Sequence, residues 1–430
     1  MSYNLLWVSD PPNFCTGYST VTKNILNRLN KLNWDCTAVA STPTGEPIKN
    51  VELQDGTRLD FKIIGAYKEQ YALDVLPKYI SKYQADVCGF LLDTFMVFPR
   101  ILDLNFQCKT FFYFPSDGGG HMPLGCEEIL RKVDLPIAMS KFGQKQLKDI
   151  HGINAVYLPH GVNTNLYYPL PVKEEIKAKV PCFMFNGRQM IETPGMLNNK
   201  FVVGSVFRNQ PRKMADRMYK AFAKFAKDRN DIVLYLHTDP NDNASHFNTF
   251  ALLQRLNILH KVVFTGMDFT SGVSVEKLKE IYNAMDVFFL STSGEGFGIP
   301  TLEAMSCGIP CIVTDGTTTP ELLMENGQCG EPVKLAGTEK IQVSELMFER
   351  GWSMQKIDEF LANGTIIGSW NVDRNLMDID DAVVQLQKLY LNKELREQYG
   401  KIGRKKAVIY YDWELLLPVW DKLLKGLVEN

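Results

Sequence analysis

The sequence predicts an α/β protein built from two doubly wound domains, each a parallel sheet flanked by helices. Three observations carry this expectation. Short, nearly continuous apolar runs alternate with helical patterns in both halves, as expected of strands covered on both faces. A break rich in proline and glycine, Pro159–Lys200, interrupts that rhythm once. The chain's 430 residues also exceed the roughly 100–200 of one ordinary domain.

Candidate strands in the first half are Tyr3–Val8, Trp34–Ala40, Phe61–Ile64, Ala85–Leu92, Lys109–Phe114, Asp134–Met139 and Asn154–Leu158. Helical spacing appears in Tyr18–Lys31, where Ile25, Leu26, Leu29 and Leu32 recur, and in Ser140–Ile150. After the break come strands Phe201–Val206, Ile232–His237, Val262–Thr265, Val287–Ser291 and Pro310–Thr314. Helices between them are marked by Met214, Met218, Ala221, Phe222 and Phe225, and by Leu278, Ile281, Tyr282 and Met285. Ala336–Asn375 reads either as an inserted hairpin or helix or as a surface excursion. The chain closes with helical patterns over Asp380–Tyr390, Glu394–Ala407 and Trp413–Leu427. The expected domains are residues 1–180 with a returning helix at 408–430, and residues 181–407.

Composition narrows the class. Hydrophobic residues make up 45% and charged residues 22%, which excludes a mainly disordered chain, a collagen-like fibre and a disulfide-stapled miniature fold. Forty-seven basic residues against 49 acidic ones argue against whole-surface attraction to nucleic acid or anionic lipid. Nine scattered cysteines without a Cys-x-x-Cys pair read as reduced thiols of a cytoplasmic protein. No apolar run approaches the ~20 residues of a membrane helix, so no transmembrane segment is expected. Peripheral membrane contact stays open.

The chemistry is concentrated in Ser291–Pro310, STSGEGFGIPTLEAMSCGIP. A strand runs into a loop holding Gly294, Gly296 and Gly298, and a helix follows with Pro300 in its first turn. Backbone N–H groups at such a helix start attract a phosphate. Glu295 and Glu303 frame the loop, suited to accept from ligand hydroxyls. The expected ligand carries both phosphate and polyol.

The run EGFGIPTLEAMSCGIPCIVTDGTTTPELL resembles the Glu-x7-Glu signature of retaining glycosyltransferase family 4, the glycosyl transferases group 1, of GT-B fold. Further matches follow in order. SDPPNFCTGYSTVTKNI resembles the N-terminal glycine loop, and YLPHGVNTNLYYP the end of the first domain. VGSVFRNQPRKMADRMYKAF resembles the Arg…Lys segment opening the second domain. FTGMDFTSGVSVEKLKEIYNAMDVFFLST, with Met267, resembles the border of the base pocket.

The resemblance implies two Rossmann-like domains facing across a cleft, with a C-terminal helix crossing back. It also implies roles for individual residues. Arg208 and Lys213 would hold the donor pyrophosphate. Glu295 would meet the donor sugar and Glu303 the ribose. Phe297, Gly298 and Ile299 would offer backbone N–H groups, and Gly17 would admit the diphosphate to the first domain's backbone. The family often places a histidine after a central first-domain strand. Here FFYFPSDGGGHMPLG offers Asp117 or His121, and the sequence does not choose between them.

The implied reaction is retaining transfer of a sugar from a nucleotide-diphosphate sugar to an acceptor hydroxyl. No cofactor or metal is implied; the donor is a UDP-sugar first, a GDP-sugar second. The acceptor is open: glycan, lipid, protein, small molecule or modified nucleic-acid base. Asp378-Ile-Asp380 matches a metal-binding Asp-x-Asp, but its place before a helix reads as a cap. Rivals are a nucleotide-sugar epimerase of the same fold and a non-catalytic glycan- or nucleotide-binding GT-B protein. A dinucleotide oxidoreductase is disfavoured, because the glycine loop lacks the full Gly-x-Gly-x-x-Gly.

Overall fold

The computed structural model describes residues 2–14, 16–40, 47–49, 51–53, 56–65, 71–122, 125–266, 272–341, 353, 355 and 372–429. These divide into two compact units. The first comprises the described residues up to Gly161, Val372, and those from Tyr411 onward. The second comprises those between Val162 and Gln355 and from Asp373 to Tyr410.

The first unit runs β1 (Tyr3–Val8), α1 (Gly17–Leu29), β2 (Trp34–Ala40), a small hairpin of β3 (Val51–Glu52) and β4 (Arg58–Leu59), and β5 (Lys62–Gly65). It continues through α2 (Leu76–Lys82), β6 (Val87–Phe90), β7 (Lys109–Phe114), α3 (Glu127–Lys132), β8 (Leu135–Ala138), α4 (Lys141–His151) and β9 (Val156–Tyr157). Its seven-stranded sheet has the order β5-β2-β1-β6-β7-β8-β9, parallel throughout. The near-continuous apolar runs are buried on both faces: Leu5 to Val8 and Phe111 to Phe114 expose almost nothing. Caps fix the helix starts, with Thr16 accepting from the N–H of Ser19 and Ser140 from that of Gly143.

The second unit runs α5 (Lys173–Lys179), β10 (Phe183–Phe185), β11 (Met190–Glu192), β12 (Phe201–Val206), α6 (Ala215–Ala226), β13 (Ile232–His237), α7 (Thr249–Arg255) and β14 (Val262–Phe264). Then follow α8 (Val275–Ala284), β15 (Val287–Leu290), α9 (Ile299–Ser306), β16 (Cys311–Thr314), β17 (Gly330–Val333), β18 (Leu335–Ile341), β19 (Val372–Met377), α10 (Ile379–Leu391) and α11 (Lys393–Tyr410). Its sheet has the order β11-β10-β14-β13-β12-β15-β16-β17. The six strands from β14 to β17 are parallel, while β10 and β11 add an antiparallel edge.

Three expectations need adjustment. Pro159–Lys200 is not merely irregular, since it contains α5 and the β10–β11 hairpin. These short, half-buried segments carry too few residues for a period to show. Second, the units part at Gly161, not at residue 180. Residues after Gly161 are tied to the second unit: the N–H of Leu170 donates to Asn283 at 2.7 Å, and the Lys177 ammonium lies 3.0 Å from Asp286. Third, Ala336–Asn375 begins and ends in strand: β18 and β19 form a two-stranded sheet. The residues between them lie almost wholly outside the described set.

The chain's last helix, α12 (Trp413–Glu429), belongs to the first unit, as expected. Trp420 is fully buried, with its ring 5.0 Å from Tyr113 and 6.0 Å from both Trp7 and Phe111. The Trp34 indole donates to Asp421 at 2.8 Å, and Arg28 meets Glu414 at 2.9 Å. Gly161 makes room for this docking, since a Cβ there would stand 2.5 Å from the Trp413 ring. Beneath the helix, the buried His160 ring shares a 2.7 Å hydrogen bond with the Tyr113 hydroxyl, and burial lowers its pKa to about 3. His160 is therefore a neutral core residue.

Asp378 caps α10 as expected, accepting from the N–H groups of Asp380 and Asp381 at 2.8 and 2.9 Å. The eight described cysteines are free thiols, seven of them buried. Among the described residues, no helix is long and apolar enough to cross a membrane.

Candidate active site

Strand order locates the site. In an open α/β sheet, ligands settle at the carboxyl ends of strands where the winding reverses. In the second unit this switch lies between β12 and β15, since β12 leads outward to β13 and β15 leads the other way to β16. The loop after β12 contains Arg208, Arg212 and Lys213. The loop after β15 is the glycine-rich run Ser291–Gly298.

Hydroxyl groups staple these two loops together. The Ser291 hydroxyl lies 2.8 Å from the carbonyls of both Lys213 and Met214. The Ser293 hydroxyl donates to the Arg212 carbonyl at 3.0 Å. The turn Pro211–Lys213 is 3₁₀, and Met214 closes it in the left-handed region at φ 45°. Thr317, at φ 46°, accepts from the N–H of Glu295 at 3.0 Å. A β-branched residue rarely tolerates that conformation, so the surrounding packing holds strain of about 1–2 kcal/mol here.

The stapling places Lys213 against Glu295 in a direct ion pair, both side chains buried. Arg212 joins from the same turn: one terminal nitrogen lies 3.2 Å from the Glu295 carboxylate and 2.7 Å from the Gly294 carbonyl. Burial raises the Glu295 pKa, but the charges of Lys213 and Arg212 and their hydrogen bonds outweigh it, leaving the carboxyl below its ordinary value. Glu295 is thus an anion between two cations. It is suited to orient them and to accept hydroxyls, not to donate a proton.

Phe297, Gly298 and Ile299 form the start of α9. Phe297 is buried, anchoring the loop. Gly298 precedes the helix at φ 99°, and a Cβ there would also press on Leu322 at 3.3 Å. Substituting Gly298→Ala should destabilise the protein by about 1–2 kcal/mol through left-handed strain. Thermal unfolding checks this, and an unchanged midpoint would mean the turn relaxes freely.

Glu303 lies one turn into α9 and is buried. The Tyr282 hydroxyl from α8 donates to it at 2.7 Å. Burial raises its pKa to about 7, with hydrogen bonds from Tyr282 and Tyr167 pulling the other way. The two glutamates thus sit in opposite environments, one charged by neighbours and one near neutrality.

Arg208 is not drawn into the Lys213–Glu295 group. Its side chain is 55% exposed and its Nε donates to Asp242 at 2.9 Å. Arg212 occupies the place beside Glu295 instead. Sequence reasoning missed it, although it directly precedes Lys213; the Ser291 and Ser293 hydroxyls hold the turn of both residues against the loop of Glu295. Tyr282 and Tyr167 were also missed as partners of Glu303.

In the first unit the winding reverses between β1 and β6. Gly17 is the first residue of α1, exposed, just after the Thr16 cap. Thr16 also donates to Asp10 at 2.9 Å in the loop after β1. Asp117 follows the neighbouring β7 and is partly exposed. His121 is exposed, its ring 5.5 Å from that of His151 at the end of α4. Met267 lies outside the described residues. Among the described residues, no group of three or more His, Cys, Asp or Glu is arranged to hold a metal.

Solved structures share the fold. Over the whole chain the fold matches a sucrose-phosphate synthase from Thermosynechococcus elongatus, with a TM-score of 0.71, 16% identity and 99% coverage of both chains. It also matches Anabaena Alr3699/HepE, solved in complex with UDP, with a TM-score of 0.63, 14% identity and coverage of 99% and 100%. These neighbours define a GT-B fold of two Rossmann-like domains.

Residues 188–335 match the family model of glycosyl transferases group 1. A probable sucrose-phosphate synthase of Thermosipho melanesiensis is 26% identical over 180 residues, 41% of this chain and 36% of that protein. The match therefore spans about a third of that relative's length.

Proposed function

We propose that the protein is a retaining glycosyltransferase that moves a sugar from a nucleotide-diphosphate sugar to an acceptor hydroxyl. The carrying observation is the buried Lys213–Glu295–Arg212 group, set beside the start of α9 at the winding reversal of a group 1 domain. Lys213 and the backbone N–H groups of that helix start suit the charge that develops on a departing diphosphate. Arg208, at the end of the adjacent β12, adds a second cation. Glu295 keeps Lys213 and Arg212 placed before the donor arrives and accepts from sugar hydroxyls. Glu303 accepts from the ribose.

In this mechanism the acceptor attacks on the side the diphosphate leaves, and a phosphate oxygen takes its proton. No protein carboxylate becomes a covalent nucleophile. Asp117 or His121 of the first unit would border the reacting carbon, and Gly17 the diphosphate. The donor is a UDP-sugar first and a GDP-sugar second; the neighbour solved with UDP and, in another crystal, with UDP-glucose favours uridine. The acceptor is a hydroxyl compound, whether glycan, lipid, protein, small molecule or modified nucleic-acid base. The relatives are named as synthases and transferases, so the epimerase reading gains no support.

A thermal-shift panel of UDP, GDP, ADP and their sugars tests the reading. A ligand at 100 times its Kd should stabilise the protein by about 2.7 kcal/mol. A flat panel would count against the donor site. Tight nucleotide binding with no sugar released or transferred would favour a binding protein.

A further inference from the structure

The loop Thr238–Ser245 leaves β13 at the same sheet edge from which Arg208 leaves β12, since these strands pair in parallel from Phe201↔Ile232 to Val206↔His237. Within that loop Asp242 is held firmly. Its Oδ1 accepts from the N–H of Ala244 at 2.8 Å, and its carbonyl accepts from the N–H of Ser245 at 2.9 Å. The neighbouring Asp239 turns the chain in the same way, accepting from the N–H of Asn241 at 2.8 Å. Only 13% of the Asp242 side chain is exposed.

Its second oxygen, Oδ2, receives Nε–H of Arg208 at 2.9 Å. Among the described residues the guanidinium meets Asp242 alone. An arginine held through Nε still has both terminal nitrogens, the pair whose fork matches two oxygens of a phosphate. Without a fixed partner, a half-exposed arginine would give up rotamer entropy on gripping an anion.

We infer that Asp242 is a positioning residue for the donor: it fixes Arg208 by Nε so that the two terminal nitrogens are set to grip a diphosphate. The inference rests on the donor reading above. With its arginine more than half exposed, the ion pair adds little to stability, so it can be altered without unfolding the protein. Asp242→Asn is a suitable variant, because its Oδ1 still accepts from Ala244 while the anionic partner is lost.

The test uses titration calorimetry on the full chain with UDP, GDP and ADP, each beside its own nucleoside. The variants are D242N, R208Q, R208K and D242N/R208Q. For the diphosphate that binds wild type, D242N should weaken binding about five-fold and leave the nucleoside unaffected. R208K, which keeps the charge but not the fork, should lose a similar factor. In the R208Q background, D242N should change nothing further.

Equal weakening of diphosphate and nucleoside, or a loss that persists in R208Q, would make Asp242 a loop-shaping residue and overturn the inference. So would unchanged or tighter diphosphate binding in D242N, or wild-type affinity in R208K. If none of the three diphosphates binds wild type, the donor reading falls and takes the inference with it.

Discussion

Replacing Lys213 by alanine is expected to slow release of nucleoside diphosphate from the sugar donor by about 100- to 1,000-fold. The expectation follows from burial. Lys213 lies in a low-dielectric turn where a cation is worth far more to a departing phosphate than it would be in water. Glu295 and the Ser291 staples hold it there before any donor arrives, so little reorganisation is left for the reaction itself. Removing the ammonium leaves Glu295 with Arg212 as its remaining cation. The stability cost should therefore fall below the about 3–5 kcal/mol of stranding a buried charge entirely. Donor turnover and chemical denaturation, measured on the same variant, separate the two effects. Wild-type turnover in a folded Lys213→Ala protein would remove this residue from the mechanism.

The second large effect concerns Glu303. Substituting Glu303→Gln should weaken nucleotide binding by about 1.5–3 kcal/mol at alkaline pH, the worth of hydrogen bonds to a charged acceptor. The pH profile is the sharper measurement. In the free protein Glu303 titrates at about 7, against 4.5 for an ordinary glutamate, because burial disfavours its charge. Ribose hydroxyls donate best to the ionised form, so binding should expel a proton. Affinity should then rise by up to about tenfold between about pH 6 and about pH 8, and E303Q should flatten that rise. The sign for stability is opposite. Because the folded pKa is raised, the neutral form stabilises the free protein at acid pH, and that contribution is lost as pH rises through about 7. A wild-type affinity that is level across this range would mean Glu303 does not meet the ribose.

Much of the architecture was legible because the signals are local. The runs Tyr3–Val8, Trp34–Ala40, Lys109–Phe114, Phe201–Val206 and Ile232–His237 match strands residue for residue. Each is a run of six or seven mostly apolar residues that the fold buries almost throughout, so pattern and burial agree. The cap at Asp378 and the left-handed Gly298 were readable for the same reason, since turn chemistry depends on immediate neighbours. The hairpin at Phe183–Glu192 was not readable, because three-residue strands borrow their stability from the sheet edge they join.

The sequence alone determined two parallel α/β units, a glycine-rich anion loop framed by two acids, and the basic turn expected to face it. Tertiary structure decided which cation meets which acid. Arg208 and Lys213 stand five residues apart in one segment. Yet the Ser291 and Ser293 hydroxyls hold the turn so that Lys213 and Arg212 meet Glu295, while the loop after β13 claims Arg208 for Asp242. It also decided the unequal character of the two glutamates. Charge state depends on burial and on partners brought from other strands and helices, and neither is written in the spacing between Glu295 and Glu303.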